Sequence, residues 1–136
     1  MKRHPIIFRV KKYLQSGFTL IELLVVMVII GLLAALVVPK FFGHVDKAMQ
    51  QDTRAQIELL GQALDLYRLE NHKYPSTDEG LQAVASYIKT EVPKDPWGNN
   101  YVYTSPGEHG EYDLVSYGAD NVEGGEDINS DIVSWK

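Results

Sequence analysis

The sequence predicts an α+β fold in which one long N-terminal helix, membrane-spanning in its first half, packs by its second half against a short helix and a small antiparallel β-sheet. Three observations support it: an apolar segment at 18–38, a helical pattern that no cluster of turn residues interrupts at 40–70, and strand-like segments separated by turns beyond residue 100. The length of 136 residues suits one domain, and 45% hydrophobic with 23% charged residues is typical of a folded protein. The predicted regions are a basic leader at 1–17, a transmembrane helix at 18–39, and a head at 40–136 that includes the distal half of the long helix.

The charge is divided unevenly along the chain. Residues 1–17 carry five basic and no acidic side chains, whereas the remaining residues carry eight basic and eighteen acidic ones. An acidic body disfavours nucleic acid as a partner, because phosphates need a basic surface. Five positive charges precede the apolar segment and Lys40 alone follows it closely. The positive-inside rule therefore predicts that the N-terminus lies in the cytoplasm and that the acidic part of the chain after the apolar segment lies on the opposite side of the membrane.

The apolar segment has the length of a membrane span. Residues 23–38 include no polar side chain, and the 21 residues at 18–38 include one charge, that of Glu22. A helix of this length rises about 30 Å, the thickness of the hydrocarbon core of a bilayer. The alternative is a secretory signal peptide that is cleaved and discarded, with a weak cleavage site at Ala34-Ala35. The length of the run and the acid at its start favour the membrane span.

Glu22 is costly within a membrane helix. A charged group there costs about 2.5–3.5 kcal/mol on insertion scales and usually has a partner or a function. The apolar segment supplies no cation to pair with it. The partner must then come from another subunit or from a newly created N-terminus, unless the carboxylate reaches the lipid headgroups by itself.

The residues around Glu22 resemble the class III signal of type IV pilin-like proteins. They follow a basic leader, precede an apolar helix and read Gly17-Phe18-Thr19-Leu20-Ile21-Glu22. The resemblance implies that a prepilin peptidase cuts between Gly17 and Phe18 and methylates the new terminal nitrogen of Phe18. Glu22 would then be the fifth residue of the mature chain, facing the terminal amine of a neighbouring Phe18 during filament assembly.

Beyond the membrane segment the helix is predicted to continue to about Asn71. Its distal part carries an apolar stripe that needs a covering layer, formed by Ile57, Leu60, Leu64 and Tyr67. Pro39 predicts a kink or local melting, because proline removes a backbone hydrogen bond and clashes with the preceding turn.

The rest of the head combines a short helix with three strands. Tyr74-Pro75 ends the long helix, and residues 76–79 have the pattern of a capping box that opens a short helix reaching Ile88. Asp95 and Asp113 are interpreted as turn and strand-edge residues rather than as an acid–base pair. The predicted strands cover residues 101–104, 112–117 and 132–135.

Motifs in the head narrow the resemblance to the major pseudopilins of type II secretion. They are Tyr74-Pro75, Glu79-Gly80-Leu81, Pro93-Lys94-Asp95-Pro96-Trp97-Gly98, Tyr112-Asp113-Leu114 and Gly118-Ala119-Asp120. The resemblance implies a homopolymeric periplasmic pseudopilus that helps to move folded proteins through an outer-membrane channel. It also implies minor pseudopilins and an inner-membrane assembly platform as partners. The leader, at 17 residues, is longer than those often seen.

An acidic, glycine-containing loop at 120–131 is a candidate calcium site. Carboxylates and flexible glycines suit the six to eight oxygen ligands of Ca²⁺, although a solvated acidic loop explains the composition equally well. The loop is not an EF-hand, because Val122 and Gly124 occupy positions that need oxygen side chains. The resemblance implies structural calcium here. The ligands it implies are Asp120, the backbone carbonyls of Tyr117 and Val122, and Asp131 or Asp127.

The sequence predicts a protein that is not an enzyme. Its four histidines are scattered, and no nucleophile elbow, phosphate-binding loop or dinucleotide fingerprint is present. Three functions remain: a type II secretion pseudopilin, a type IV pilus subunit, and a monomeric membrane-anchored calcium-binding module. The chain has no cysteine, which disfavours the second function because many such pilins have a C-terminal disulfide.

Overall fold

The computed structural model describes residues 16–136, in two compact units that meet between Pro39 and Lys40. Most of the predicted leader, residues 1–15, lies outside the described residues. One helix, α1, covers Leu20–Asn71 and contains Pro39. The long helix is thus confirmed with its predicted end, and it is not melted at Pro39 in this structure.

The first unit presents the apolar start of α1. An 18-residue window of the helix has a mean hydropathy of 3.1, and none of that window is buried in the protein. The core helix of a soluble protein would be mostly buried, whereas here Leu20 is 88% exposed and Leu32 is 68% exposed. By length and composition α1 is able to cross a membrane.

The second unit has its core on the distal half of α1. Ile57, Leu60 and Leu64 are buried along one helix face, as the spacing of the apolar stripe predicts. The sheet and the segment after α1 cover this face with a second apolar layer. That layer consists of Leu81, Val84, Tyr101, Tyr103, Leu114 and Ile132.

A three-stranded antiparallel sheet completes the head, as predicted. The strands are β1 (Val102–Thr104), β2 (Asp113–Ser116) and β3 (Ile132–Val133), in the spatial order β1-β2-β3. Tyr103 pairs with Leu114, and both are buried in the core. Because successive side chains alternate between faces, the row of paired residues Val102, Val115 and Val133 lies on the opposite face.

The predicted short helix is present but ends at Val84, before the predicted end at Ile88. The capping box does form, since the backbone N–H of Ser76 donates to Glu79 Oε2 at 2.7 Å and that of Glu79 to Ser76 Oγ at 3.3 Å. However, only a four-residue 3-10 helix, Leu81–Val84, follows it. Gly80 is the reason: its φ of 60° and ψ of −168° lie outside the α region, so the capped turn cannot continue as an α-helix.

Candidate functional sites

The N-terminal site consists of exposed residues at the start of α1. Phe18 is 89% exposed. Glu22 forms a capping box with Thr19: the backbone N–H of Thr19 donates to Glu22 Oε2 at 3.3 Å, and that of Glu22 to Thr19 Oγ1 at 3.2 Å. The spacing Thr-x-x-Glu is the sequence signature of this motif, and the prediction for Glu22 overlooked it. The carboxylate therefore has a local role at the helix start besides any role in assembly.

The acidic loop follows β2 and is closed by backbone contacts. The N–H of Ala119 donates to the carbonyl of Ile128 at 3.0 Å. Gly118 has a φ of 69°, and a Cβ there would lie 2.8 Å from the Ile128 oxygen. Only glycine fits this position, so the Gly118-Ala119-Asp120 motif has a steric cause.

The predicted calcium ligands occupy different environments in this loop. Asp120 Oδ1 accepts a hydrogen bond from the backbone N–H of Val122 at 3.1 Å. Asp131 Oδ2 accepts one from Gly124 at 2.9 Å, whereas its Oδ1 is buried without a hydrogen-bond partner. Tyr117 and Asp131 line one cleft of about 240 Å³. A buried, unpartnered carboxylate oxygen beside a residue with a candidate carbonyl fits a hard cation.

Asp127 lies on a 3-10 turn, Asp127–Asn129, and its side chain is exposed. Its carbonyl already accepts hydrogen bonds from Ser130 Oγ, at 2.7 Å, and from the side chain of Gln50. Gln50 belongs to α1 and thus attaches the loop to the helix, a role that the sequence does not indicate.

Within residues 16–136, no three His, Asp or Glu side chains converge in a metal-binding arrangement. A calcium site in this loop would need backbone carbonyls in addition to carboxylates, and Tyr117 and Val122 are the residues predicted to supply them. The donors are all oxygen atoms, as Ca²⁺ requires. The residues present fit the ion on these grounds, and the site stays a prediction.

Asp95 and Asp113 have the turn and strand-edge roles expected of them. Asp95 closes its turn by accepting the backbone N–H of Asn99 on Oδ1 at 2.8 Å. The Asp113 carboxylate accepts the backbone N–H groups of Glu108, at 2.9 Å, and His109, at 3.2 Å. His109 Nδ1 lies 3.0 Å from Asp113 Oδ2, and its ring stacks on Trp135 with 3.9 Å between centroids.

This environment lowers the pKa of Asp113. Partial burial raises the pKa, but the hydrogen bonds from the His109 side chain and from the backbone of Glu108 and His109 lower it by more. A carboxyl group whose pKa is lower in the folded than in the unfolded state stabilises the fold above its unfolded pKa of about 3.9. That contribution is lost as the pH falls through the folded pKa.

We expect the free energy of unfolding to fall less steeply below about pH 5 in Asp113→Asn than in the wild type. The measurement is the urea midpoint of the full chain in detergent from pH 6 to pH 3, in chelator, followed by the fluorescence of Trp97 and Trp135. The slopes are compared rather than the absolute stabilities, because the variant also loses charged hydrogen bonds at neutral pH. If the free energy of unfolding fell with pH at the same slope in both proteins, the acid-dependent loss of stability would not come from Asp113.

Two family models match this chain, one over its N-terminal segment and one over the rest. Residues 40–135 match the family described as "Type II secretion system (T2SS), protein G", and residues 12–38 match that described as "Prokaryotic N-terminal methylation motif". The type II secretion system core protein G of Vibrio cholerae is 47% identical over 135 residues, covering 89% of this chain and 92% of that protein. Its counterpart in Pseudomonas aeruginosa is 46% identical, covering 89% of this chain and 95% of that protein.

The fold has a similar match among solved structures. A crystal structure of the major pseudopilin from the type 2 secretion system of enterohaemorrhagic Escherichia coli is 35% identical, with a TM-score of 0.57. The match covers 69% of this chain and 92% of that one.

The chain has an N-methylation motif and a long helix whose first part is apolar, and a small sheet packs on the distal half of that helix. These features define a membrane-anchored pseudopilin. The chain belongs to the type II secretion system protein G family. The resemblance found in the sequence is thereby confirmed. Membership also confirms the expectation of a structural subunit rather than an enzyme.

Proposed function

We propose that this chain polymerises with copies of itself into the pseudopilus of type II secretion, after a prepilin peptidase has cut between Gly17 and Phe18. The observation that carries the proposal is the pair of Phe18 and Glu22 at the exposed start of an apolar helix. Cleavage creates a positive amine on Phe18, and Glu22 has the charge to pair with it on a neighbouring copy. The one capping bond that its carboxylate accepts comes from the uncharged backbone N–H of Thr19, which leaves the negative charge unneutralised.

We place the chain in the inner membrane as a single-pass protein, with the N-terminus in the cytoplasm before cleavage and the head in the periplasm. The basic residues before the apolar segment support this orientation. The filament would push or guide folded proteins through the outer-membrane channel. Minor pseudopilins and the inner-membrane assembly platform would be its further partners, since a membrane-embedded subunit needs machinery to leave the bilayer.

We also propose a structural calcium ion in the acidic loop. Asp120 and Asp131 would supply carboxylates, and Tyr117 and Val122 would supply backbone carbonyls. The buried Oδ1 of Asp131 favours this residue over the exposed Asp127 as the acid that completes the shell. When bound, the ion would neutralise neighbouring carboxylates and hold the loop closed, which stabilises the folded head by mass action.

The experiment that tests the filament proposal is the intact mass and N-terminal sequence of the protein purified from its native membrane. The expected chain begins at N-methylated Phe18. A chain that begins at Met1 would indicate an ordinary membrane anchor, and one that begins beyond Ala35 would indicate a discarded signal peptide. Either result would overturn the proposal.

A further inference from the structure

A buried pair formed by Asp95 and Ser116 lies directly beneath the start of the acidic loop. Asp95 is 4% exposed and Ser116 is fully buried. The Ser116 hydroxyl donates to Asp95 Oδ2 at 2.8 Å, and the other oxygen of this carboxylate accepts the backbone N–H of Asn99. Both carboxylate oxygens thus have partners, as a buried charge requires.

The same hydroxyl reaches the loop. Its proton is used on Asp95, so the lone pairs of Ser116 Oγ are free to accept, and the backbone N–H of Gly118 donates to it at 3.4 Å. The peptide group that carries this N–H also carries the carbonyl of Tyr117. In a planar trans peptide the two groups point in opposite directions, so fixing the N–H fixes the direction of the Tyr117 carbonyl.

The next peptide group is held from two sides. Asn99 Nδ2 donates to the Gly118 carbonyl at 3.3 Å, and the N–H of Ala119 donates to Ile128 at 3.0 Å. Each of these two consecutive peptide planes therefore has one contact that leads to the turn at 95–99, the first through Ser116 to Asp95 and the second directly to Asn99. This turn lies outside the loop and supplies none of the proposed calcium ligands.

We propose that Asp95 and Ser116 are positioning residues for the calcium loop, which they orient by fixing the Tyr117–Gly118 peptide. The inference rests on the proposed calcium site. Asp95 polarises the Ser116 hydroxyl, and Ser116 holds the peptide so that the Tyr117 carbonyl keeps one direction whether or not the ion is bound. The loop then binds calcium without first having to order this peptide, and the smaller ordering cost raises its affinity.

The test is the calcium dissociation constant of the full chain in detergent, measured by titration calorimetry with calcium alone as the probe. Ser116→Ala is expected to weaken binding by about 10–100-fold, the usual effect of losing a residue that orients a metal ligand. Asp95→Asn leaves the Ser116 hydroxyl in place but reverses the hydrogen bond between residues 95 and 116. It is also expected to weaken calcium binding. It also keeps the proposal testable should Ser116→Ala fail to fold.

Val84→Ala serves as the matched control, because Val84 is fully buried and belongs to the 3-10 helix rather than to this network. It should lower the melting temperature in chelator yet leave the dissociation constant unchanged. If the wild type and the Ser116 and Asp95 variants bound calcium with equal affinity, the positioning role would be overturned and the proposed calcium site would stand. Weakening by Val84→Ala to the same extent would also overturn the positioning role, since the effect would then follow stability. A wild type without calcium binding would overturn the calcium site itself.

Discussion

Replacing Glu22 with alanine is expected to abolish filament assembly while leaving membrane insertion intact. The apolar segment supplies no cation for this carboxylate, and assembly would provide one in the terminal amine of a neighbouring Phe18. Removing a charge from an apolar helix makes membrane insertion more favourable, so the anchor itself should not suffer. The measurements are filaments sedimented from detergent extracts of native membranes, and the fraction of chain that resists alkaline extraction. A monomeric membrane-anchored module would show no effect in either assay.

The capping box at the helix start supplies two matched controls. Glu22→Gln keeps a side chain that can accept the Thr19 N–H, since glutamine also serves in capping boxes, but it removes the charge. Thr19→Ala removes the hydroxyl and keeps the charge. We expect Glu22→Gln to fail in assembly and Thr19→Ala to assemble, with every variant beginning at Phe18 by mass. The reverse pattern would show that Glu22 acts through capping and not through its charge.

The parts of the fold that the sequence predicts are those set by local pattern. A continuous helix to Asn71 follows from the absence of any cluster of turn residues and from an apolar stripe at helical spacing. The strands follow from β-branched and aromatic residues between turns, and their antiparallel order agrees with short connections.

The parts that the sequence does not predict depend on contacts between distant residues or on one backbone angle. The capping box at Ser76 predicts an α-helix, but the conformation of Gly80 ends it after one turn. Ser116 looks like an ordinary strand residue until the fold brings Asp95, 21 positions earlier, within 2.8 Å of it. Gln50 reaches the acidic loop across 77 positions. No local propensity encodes such pairs, so only the tertiary structure reveals how the loop is held.

Replacing Asp120 with alanine is expected to remove the stabilisation that calcium gives to the head. An ion present at 100 times its dissociation constant stabilises the folded state by about 2.7 kcal/mol. For a head of this size that corresponds to roughly 10–20 °C in melting temperature. The wild type should therefore melt higher in calcium than in chelator by about this amount, whereas Asp120→Ala should melt near the chelator value under both conditions. The fluorescence of Trp97 and Trp135, which both belong to the head, reports the transition in the full chain.

The two later acids can be separated in the same assay. Asp131→Asn retains an oxygen for the Gly124 N–H but loses the carboxylate whose Oδ1 is buried and unpartnered; it should lose the calcium-dependent shift. Asp127→Asn removes a charge from an exposed side chain at a φ of 52°, a conformation that asparagine tolerates, and it should keep the shift. If Asp127→Asn alone lost it, the ligand would be Asp127. If Asp120→Ala lowered the melting temperature equally in calcium and in chelator, the calcium site would be rejected. Asp120 would then stabilise the loop only by accepting the hydrogen bond from Val122.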